Sequence, residues 1–226
     1  MKNLCIATIV FALSLGACSD DPTGVPDDDL ITLTQSQAVA LIAKVEAVGA
    51  EDATLAALSD TIDVVIKAGA QARRIDVTSD LGNGPYWAVS LQIFAGTTST
   101  FHVLAFDDPS TPTRFLILGG AVLGSATPVT SASGSIGTSG TTSLTGHLIS
   151  ISGTAVSAWH VSGGSLSFVS HPTTQACPGF VGPGSCVSLT MDATFNFTAS
   201  VPDGSATGQR TATGTADGIP GIRLSP

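Results

Sequence analysis

Four histidines and one aspartate are the side chains of this 226-residue chain best suited to chemistry: His102, His147, His160, His171 and Asp192. Imidazole titrates near neutral pH and ligates transition metals, so a histidine beside a carboxylate reads as an acid–base pair or part of a metal site. Two strand pairings would assemble them. If residues 144–151 pair with 155–161, His147 lies near His160. If Cys177 faces Cys186, the same register sets His171 opposite Asp192. The plainer expectation is polar side chains on the outer face of a sheet. Glu46 and Glu51 are the only glutamates, and neither supplies the carboxylate pair of glycosidic chemistry. Asp107-Asp108-Pro109 reads as a turn after a strand. No G-x-S-x-G, H-E-x-x-H, P-loop or G-x-G-x-x-G sequence is present. No catalytic residue, metal site or cofactor is therefore assigned, and the chain reads as a non-enzyme.

Cysteine offers the other chemistry. Cys177 and Cys186 flank a Gly/Pro-rich loop, Pro178 to Ser185. Zinc sites want tighter spacing and more ligands, and redox pairs favour C-x-x-C, so this pair reads as a structural disulfide. Closing such a loop stabilises by about 2.5–3 kcal/mol in the chain-entropy picture.

The elements that must position these residues follow from periodicity. Thr34-Gln35-Ser36-Gln37 fits a capping box, and Val39, Ile42, Val45 and Val48 keep helical spacing until Gly49. Glu51 and Asp52 suit the start of a second helix, whose stripe of Leu55, Leu58, Ile62, Val65 and Ile66 runs toward Ala72. The expectation is an antiparallel helical hairpin over 34–72. From Ile75 the period becomes two, which predicts a β-meander over 75–224. Trp87, Val89, Leu91 and Ile93 share one face, while Phe101 to Phe106 and Phe115 to Leu118 are apolar on both faces and need cover on both. Residues 125–142, rich in Ser, Thr and Gly, read as a flexible loop or a weak edge strand.

Cys186 to Val201 alternates without a fault, with Leu189, Met191, Ala193, Phe195 and Phe197 on one side. Ser162-Gly163-Gly164-Ser165 reads as a tight turn that sets Trp159 opposite Phe168. The cysteine register then puts Phe168 opposite Phe195 and Leu166 opposite Phe197, and the turn at Pro202-Asp203-Gly204-Ser205 puts Arg210 opposite Phe197 and Ala212 opposite Phe195. Trp159, Phe168, Phe195 and Phe197 thus form one aromatic face, either a core or an apolar-ligand groove. A bulge at Pro172 would slip the register. The fold class expected is α+β: a helical hairpin packed on a long, curved, mostly antiparallel sheet, as one domain over 32–226.

Composition sets the class of partner. Net charge is −9 and only 11% of residues are charged, while Ser and Thr make up about a quarter. Nucleic acid and anionic lipid headgroups are poor partners on that balance. Asp20, Asp21, Asp27, Asp28 and Asp29 crowd residues 18–31, which read as an acidic flexible tether. Mean hydropathy is +0.40, but the run from Phe115 to Gly124 is broken by Gly119-Gly120, and no later stretch approaches the ~20 residues of a spanning helix. Long alternating strands also occur in transmembrane barrels; the chain lacks their aromatic girdles.

The amino terminus places the molecule. Lys2 precedes an apolar stretch from Cys5 to Leu15, too short to span a bilayer, and Leu15-Gly16-Ala17-Cys18 follows. This resembles the signal peptide and lipobox of bacterial lipoproteins. The resemblance implies removal of residues 1–17, a diacylglycerol thioether on Cys18 and usually a third acyl chain, which together anchor stably. Ser19 after the cysteine implies outer-membrane sorting where the host has two membranes. The expectation is a lipid-anchored cell-envelope protein, non-catalytic and structural or interacting. The alternative is a carrier or sensor of an apolar ligand held between hairpin and sheet.

Overall fold

Alternating apolar residues recur from Ala72 to Ile222, and the chain answers with strand after strand. The computed structural model describes residues 29–49, 71–177, 184–201 and 208–226. Among them lie β1 (Leu30–Thr32), α1 (Gln35–Gly49), β2 (Gln71–Ser79), β3 (Gly84–Ala95), β4 (Thr98–Phe106), β5 (Arg114–Leu123), β6 (Ser131–Ser135), β7 (Gly137–Ser139), β8 (Thr142–Ser152), β9 (Ala155–Ala176), β10 (Ser185–Ser200) and β11 (Arg210–Ser225). Antiparallel pairing runs β2–β3–β4–β5–β8–β9–β10–β11, and β11 returns to β2. Eight strands therefore close into an up-and-down barrel, which leaves few free sheet edges.

This corrects the α+β expectation. The described chain is almost entirely antiparallel sheet, and α1 is its single helix. The sheet is not an open layer under a helical hairpin; it curls round and buries its inner face in itself, and α1 packs on part of the outer face. The first predicted helix does form where its capping box lies. The Gln37 backbone N–H donates to Thr34 Oγ1 at 3.3 Å, and the Thr34 N–H donates to Gln37 Oε1 at 2.9 Å. The second helix and the signal peptide lie outside the described residues, as does the tether except at its end. Gln71 and Ala72, expected at that helix's end, belong to β2.

Barrel closure gives the apolar positions two destinations. Inward side chains of all eight strands make one cluster, with Tyr86, Phe101, Leu116, Leu118, Phe168 and Phe195 each at most 2% exposed. An eight-stranded barrel is just wide enough for side chains to fill or for one small ligand, and here these rings and aliphatic groups occupy it. Outside, Leu91, Leu104, Phe106, Phe115, Ile117 and Ile149 form a second cluster with Ala38 and Leu41 of α1. Strands β4 and β5 are apolar on both faces because each face joins a different cluster. On β9, β10 and β11 the alternation is apolar inside and hydroxyl-bearing outside, the reverse of a membrane-spanning barrel.

Two irregularities matter for the sites. The predicted turn at Ser162–Ser165 is absent, because β9 runs through it unbroken for 22 residues. Its second half pairs with β10 on one edge and with β6 on the other, and these ladders keep it extended. Between Thr198 and Ala199 the register slips by one, absorbed around Ser162. That slip switches the inward parity of β9, so Trp159 and Phe168 both face the interior although no turn joins them. The second irregularity lies at Pro172. Val187 pairs with Ala176 but Leu189 with Pro172, a slip of two from the register set by the cysteines. Phe168 therefore pairs with Ala193 and Leu166 with Phe195. Across β11, Ala212 lies opposite Phe197 and Arg210 opposite Ala199, again two away from expectation. A slip of two keeps every side chain on its face.

Residues 125–142 are not a free loop. β6 continues the edge of β9, and β7 continues that of β8, where those two strands diverge. The segment before β6 seals one end of the barrel through buried polar groups. Gln92 Nε2 donates to the Val129 carbonyl at 2.6 Å, the Val129 N–H donates to Ser99 Oγ at 3.1 Å, and Ser170 Oγ donates to Gln92 Oε1 at 3.1 Å.

Candidate functional site

The expected pairing of residues 144–151 with 155–161 is present as the β8–β9 hairpin, and His147 and His160 are direct cross-strand partners. Their rings meet edge to face at 4.5 Å, with His147 Nε2 3.0 Å from His160 Nδ1. One ring must donate and the other accept. His147 is 5% exposed, and the pair sits on the outer side of the barrel seam. Among the described residues no third histidine, cysteine or carboxylate joins it to make a metal cluster.

His171 and Asp192 also meet, by a different register from the one expected. The partner of His171 is Thr190, and Asp192 reaches it diagonally, Nε2 to Oδ2, at 2.8 Å. A bulge in β11 holds the carboxylate: the register slips between Met191 and Ala193, and the Gly218 N–H donates to Asp192 Oδ1 at 2.7 Å. Gly218 has φ +65°, a conformation that favours glycine. Behind it the Gly218 carbonyl accepts from Arg73 Nη1 at 3.1 Å. At this point β11 leaves β2 and runs parallel to β3 through Gly221–Leu224, and Arg73 stands where the β2–β11 ladder ends. Arg73 is 5% exposed and its Nη2 has no partner among the described residues. An aspartate that orients a histidine is part of acid–base machinery. This pair, however, stands about half exposed on a convex strand face, at 54% and 37%, where none of the described residues encloses a substrate.

A third polar group ties the barrel's turns together. Asp107 accepts from the Thr113 N–H at 2.9 Å, Thr113 Oγ1 at 2.7 Å, the Arg114 N–H at 3.0 Å and Arg114 Nε at 2.9 Å. Burial alone would raise the Asp107 carboxyl, yet these donors outweigh it and hold the group below its ordinary value. Arg114 also donates from Nη1 to the Leu81 carbonyl at 3.2 Å and lies 5.7 Å from the Tyr86 ring. The β2–β3 and β4–β5 turns are thus clasped at one barrel end. Asp107 and Asp108 do form the expected turn, with the Ser110 N–H donating to Asp108 Oδ1 at 2.7 Å. His102, on the outer face of β4, stands apart from the other three histidines, and burial pushes its pKa down to about 4.

The aromatic face lies wholly inside the barrel. Phe168 stacks on Phe101 at 5.8 Å, and Phe195 lies 5.9 Å from Phe197. Phe168, Phe195, Phe197 and Trp159 are 0%, 2%, 2% and 9% exposed. Two glycines give the rings their room, since a Cβ on Gly120 would come 2.9 Å from the Phe168 ring and one on Gly214 2.6 Å from Phe195. Arg210, opposite Ala199, places its guanidinium 5.1 Å from the Trp159 ring. Cys177 and Cys186 form the disulfide, with Cα atoms 5.4 Å apart and the Cys177 N–H donating to the Cys186 carbonyl at 3.1 Å. Cys18 lies outside the described residues.

Sequence reasoning missed the outer surface. Across β9, β10 and β11 the register sets Ser167, Thr194 and Thr215 in one row and Ser165, Asn196 and Thr213 in the next. The signal was present as Thr194-x-Asn196-x-Thr198 and Thr211-x-Thr213-x-Thr215, but a row across strands needs the register. No family model, curated protein or solved structure matches this chain.

Proposed function

We propose that this is a lipid-anchored cell-envelope protein that works by surface contact, as a structural or interaction protein, and not by catalysis. The lipobox-like Leu15-Gly16-Ala17-Cys18, followed by Ser19 and an acidic tether, supports the address, a lipid anchor at an outer membrane. The observation that carries the mode of action is the filled barrel. A space open to an apolar ligand would leave accessible surface on its lining, whereas Phe101, Leu116, Phe168 and Met191 have none. That speaks against a carrier. The chemistry-bearing pairs point the same way: His147 and His160 engage each other, and His171 with Asp192 stands on an open convex face.

The test is Cys18→Ala with fatty-acid labelling and fractionation. Wild-type protein is expected in the membrane fraction with acyl label, and the variant soluble and unlabelled. A variant that stays on membranes without label would refute the anchor.

A further inference from the structure

We propose that the outer face of β9, β10 and β11 is a docking surface for a linear, neutral polysaccharide laid along the strands; this names a partner class for the contact function above and rests on that reading. The field is Ser165, Ser167, Thr194, Asn196, Thr213 and Thr215. Neighbours within a row stand about 4.8 Å apart, and the two rows about 6.8 Å apart along the strands. Ser167 is partly buried and the other five are exposed. Within the described residues none of the six side chains is committed to a hydrogen bond. Hydroxyl and amide groups both donate and accept, which is what sugar hydroxyls require.

Charge selects among polymers. The chain carries −9 overall, yet this field has no charged side chain, whereas protein surfaces ordinarily intersperse charges of both signs. Carboxylates border it: Asp76 pairs with Thr215 across β2 and β11, and Asp192 and Asp217 follow Thr194 and Thr215 at the next outward positions. Arg74 and His171 stand among these carboxylates, but acidic groups outnumber the one permanent cation, so the border disfavours a polyanion and leaves a neutral chain as the fitting occupant. The barrel curves across its strands and runs straighter along them, so a linear polymer follows the strand direction. With no aromatic side chain in the field, single contacts are weak and retention accumulates over repeated units.

The experiment is co-sedimentation of the full-length protein, in detergent, with insoluble cellulose, chitin and cross-linked dextran, and with cross-linked polygalacturonate as the anionic polymer. Wild type is expected on at least one neutral polymer and released by that polymer's soluble oligosaccharide. Thr194→Glu with Thr213→Glu should weaken retention by about tenfold or more, with an unchanged unfolding midpoint. Asn196→Ala, a milder change, should weaken it a few-fold, and Val39→Glu, on the exposed side of α1 at 59%, should not. The proposal is overturned if no neutral polymer retains wild type, if the glutamate pair and Asn196→Ala are retained like wild type, or if the anionic polymer is held better. Fractionation of Cys18→Ala reads the anchor separately, so either can fail alone.

Discussion

Phe195 lies on the longest unbroken alternation in the chain, 2% exposed, with its ring filling the space that Gly214 leaves. Phe195→Ala should cost about 3–5 kcal/mol, from lost burial plus the cavity left behind. Thr194→Ala, one residue away and facing out, should stay within about 0.5 kcal/mol; equilibrium denaturation compares the two. His102 makes a pH prediction. Its ordinary value is 6.5 and burial lowers it to about 4, so between those values the unfolded chain binds the proton that the folded chain refuses. Stability from this residue is present above pH 6.5 and is lost as pH falls toward 4. Denaturation midpoints at pH 7 and pH 5 should differ more in wild type than in His102→Gln. At this scale side-chain direction was legible, because strict alternation fixes the face of a residue. Contacts such as the diagonal reach of Asp192 to His171 were not, because a slip of two changes partners without changing faces.

The element that best tests local reasoning is β9. Gly163-Gly164 carried the signature of a turn, yet both residues sit inside one strand. Gly164 has φ +114°, and a Cβ there would come 2.2 Å from the Asn196 carbonyl oxygen, whereas a Cβ on Gly163 would meet nothing within 4 Å. Gly164→Ala should therefore destabilise by about 1–3 kcal/mol from backbone strain alone, and Gly163→Ala should stay within about 1 kcal/mol. Similar effects at both would favour a turn. The disulfide pins the irregular end of the same strand. Replacing Cys177 and Cys186 together by serine should cost about 2.5–3 kcal/mol through loop entropy. Local chemistry was well legible where it is self-contained, as in the capping box of Thr34 and Gln37 and the disulfide of Cys177 with Cys186. It failed at Ser162–Ser165 because the two ladders flanking β9 outweigh the intrinsic preference of two glycines.

For the whole molecule, closure of the barrel decides what the apolar surface is for. Double-faced β4 and β5 implied two covers, and the sequence led to a helical layer for one of them. α1 supplies part of that cover through Ala38 and Leu41, interior burial covers the other face, and closure depends on β11 meeting β2. That contact leaves no periodic trace, since β11 changes partner from β2 to β3 at a bulge marked only by Asp217-Gly218. Trp159 and Phe168 of β9 share the inner cluster with Phe195 and Phe197 of β10, and whether such a face encloses a ligand depends on that closure. The most direct test is therefore the content of the interior. Native mass spectrometry and solvent extraction of purified protein, alongside Phe195→Ala, should find no apolar molecule at stoichiometric amounts beyond the acyl chains proposed on Cys18, and a variant weakened only in stability. A stoichiometric apolar molecule that Phe195→Ala releases with little loss of stability would contradict the account.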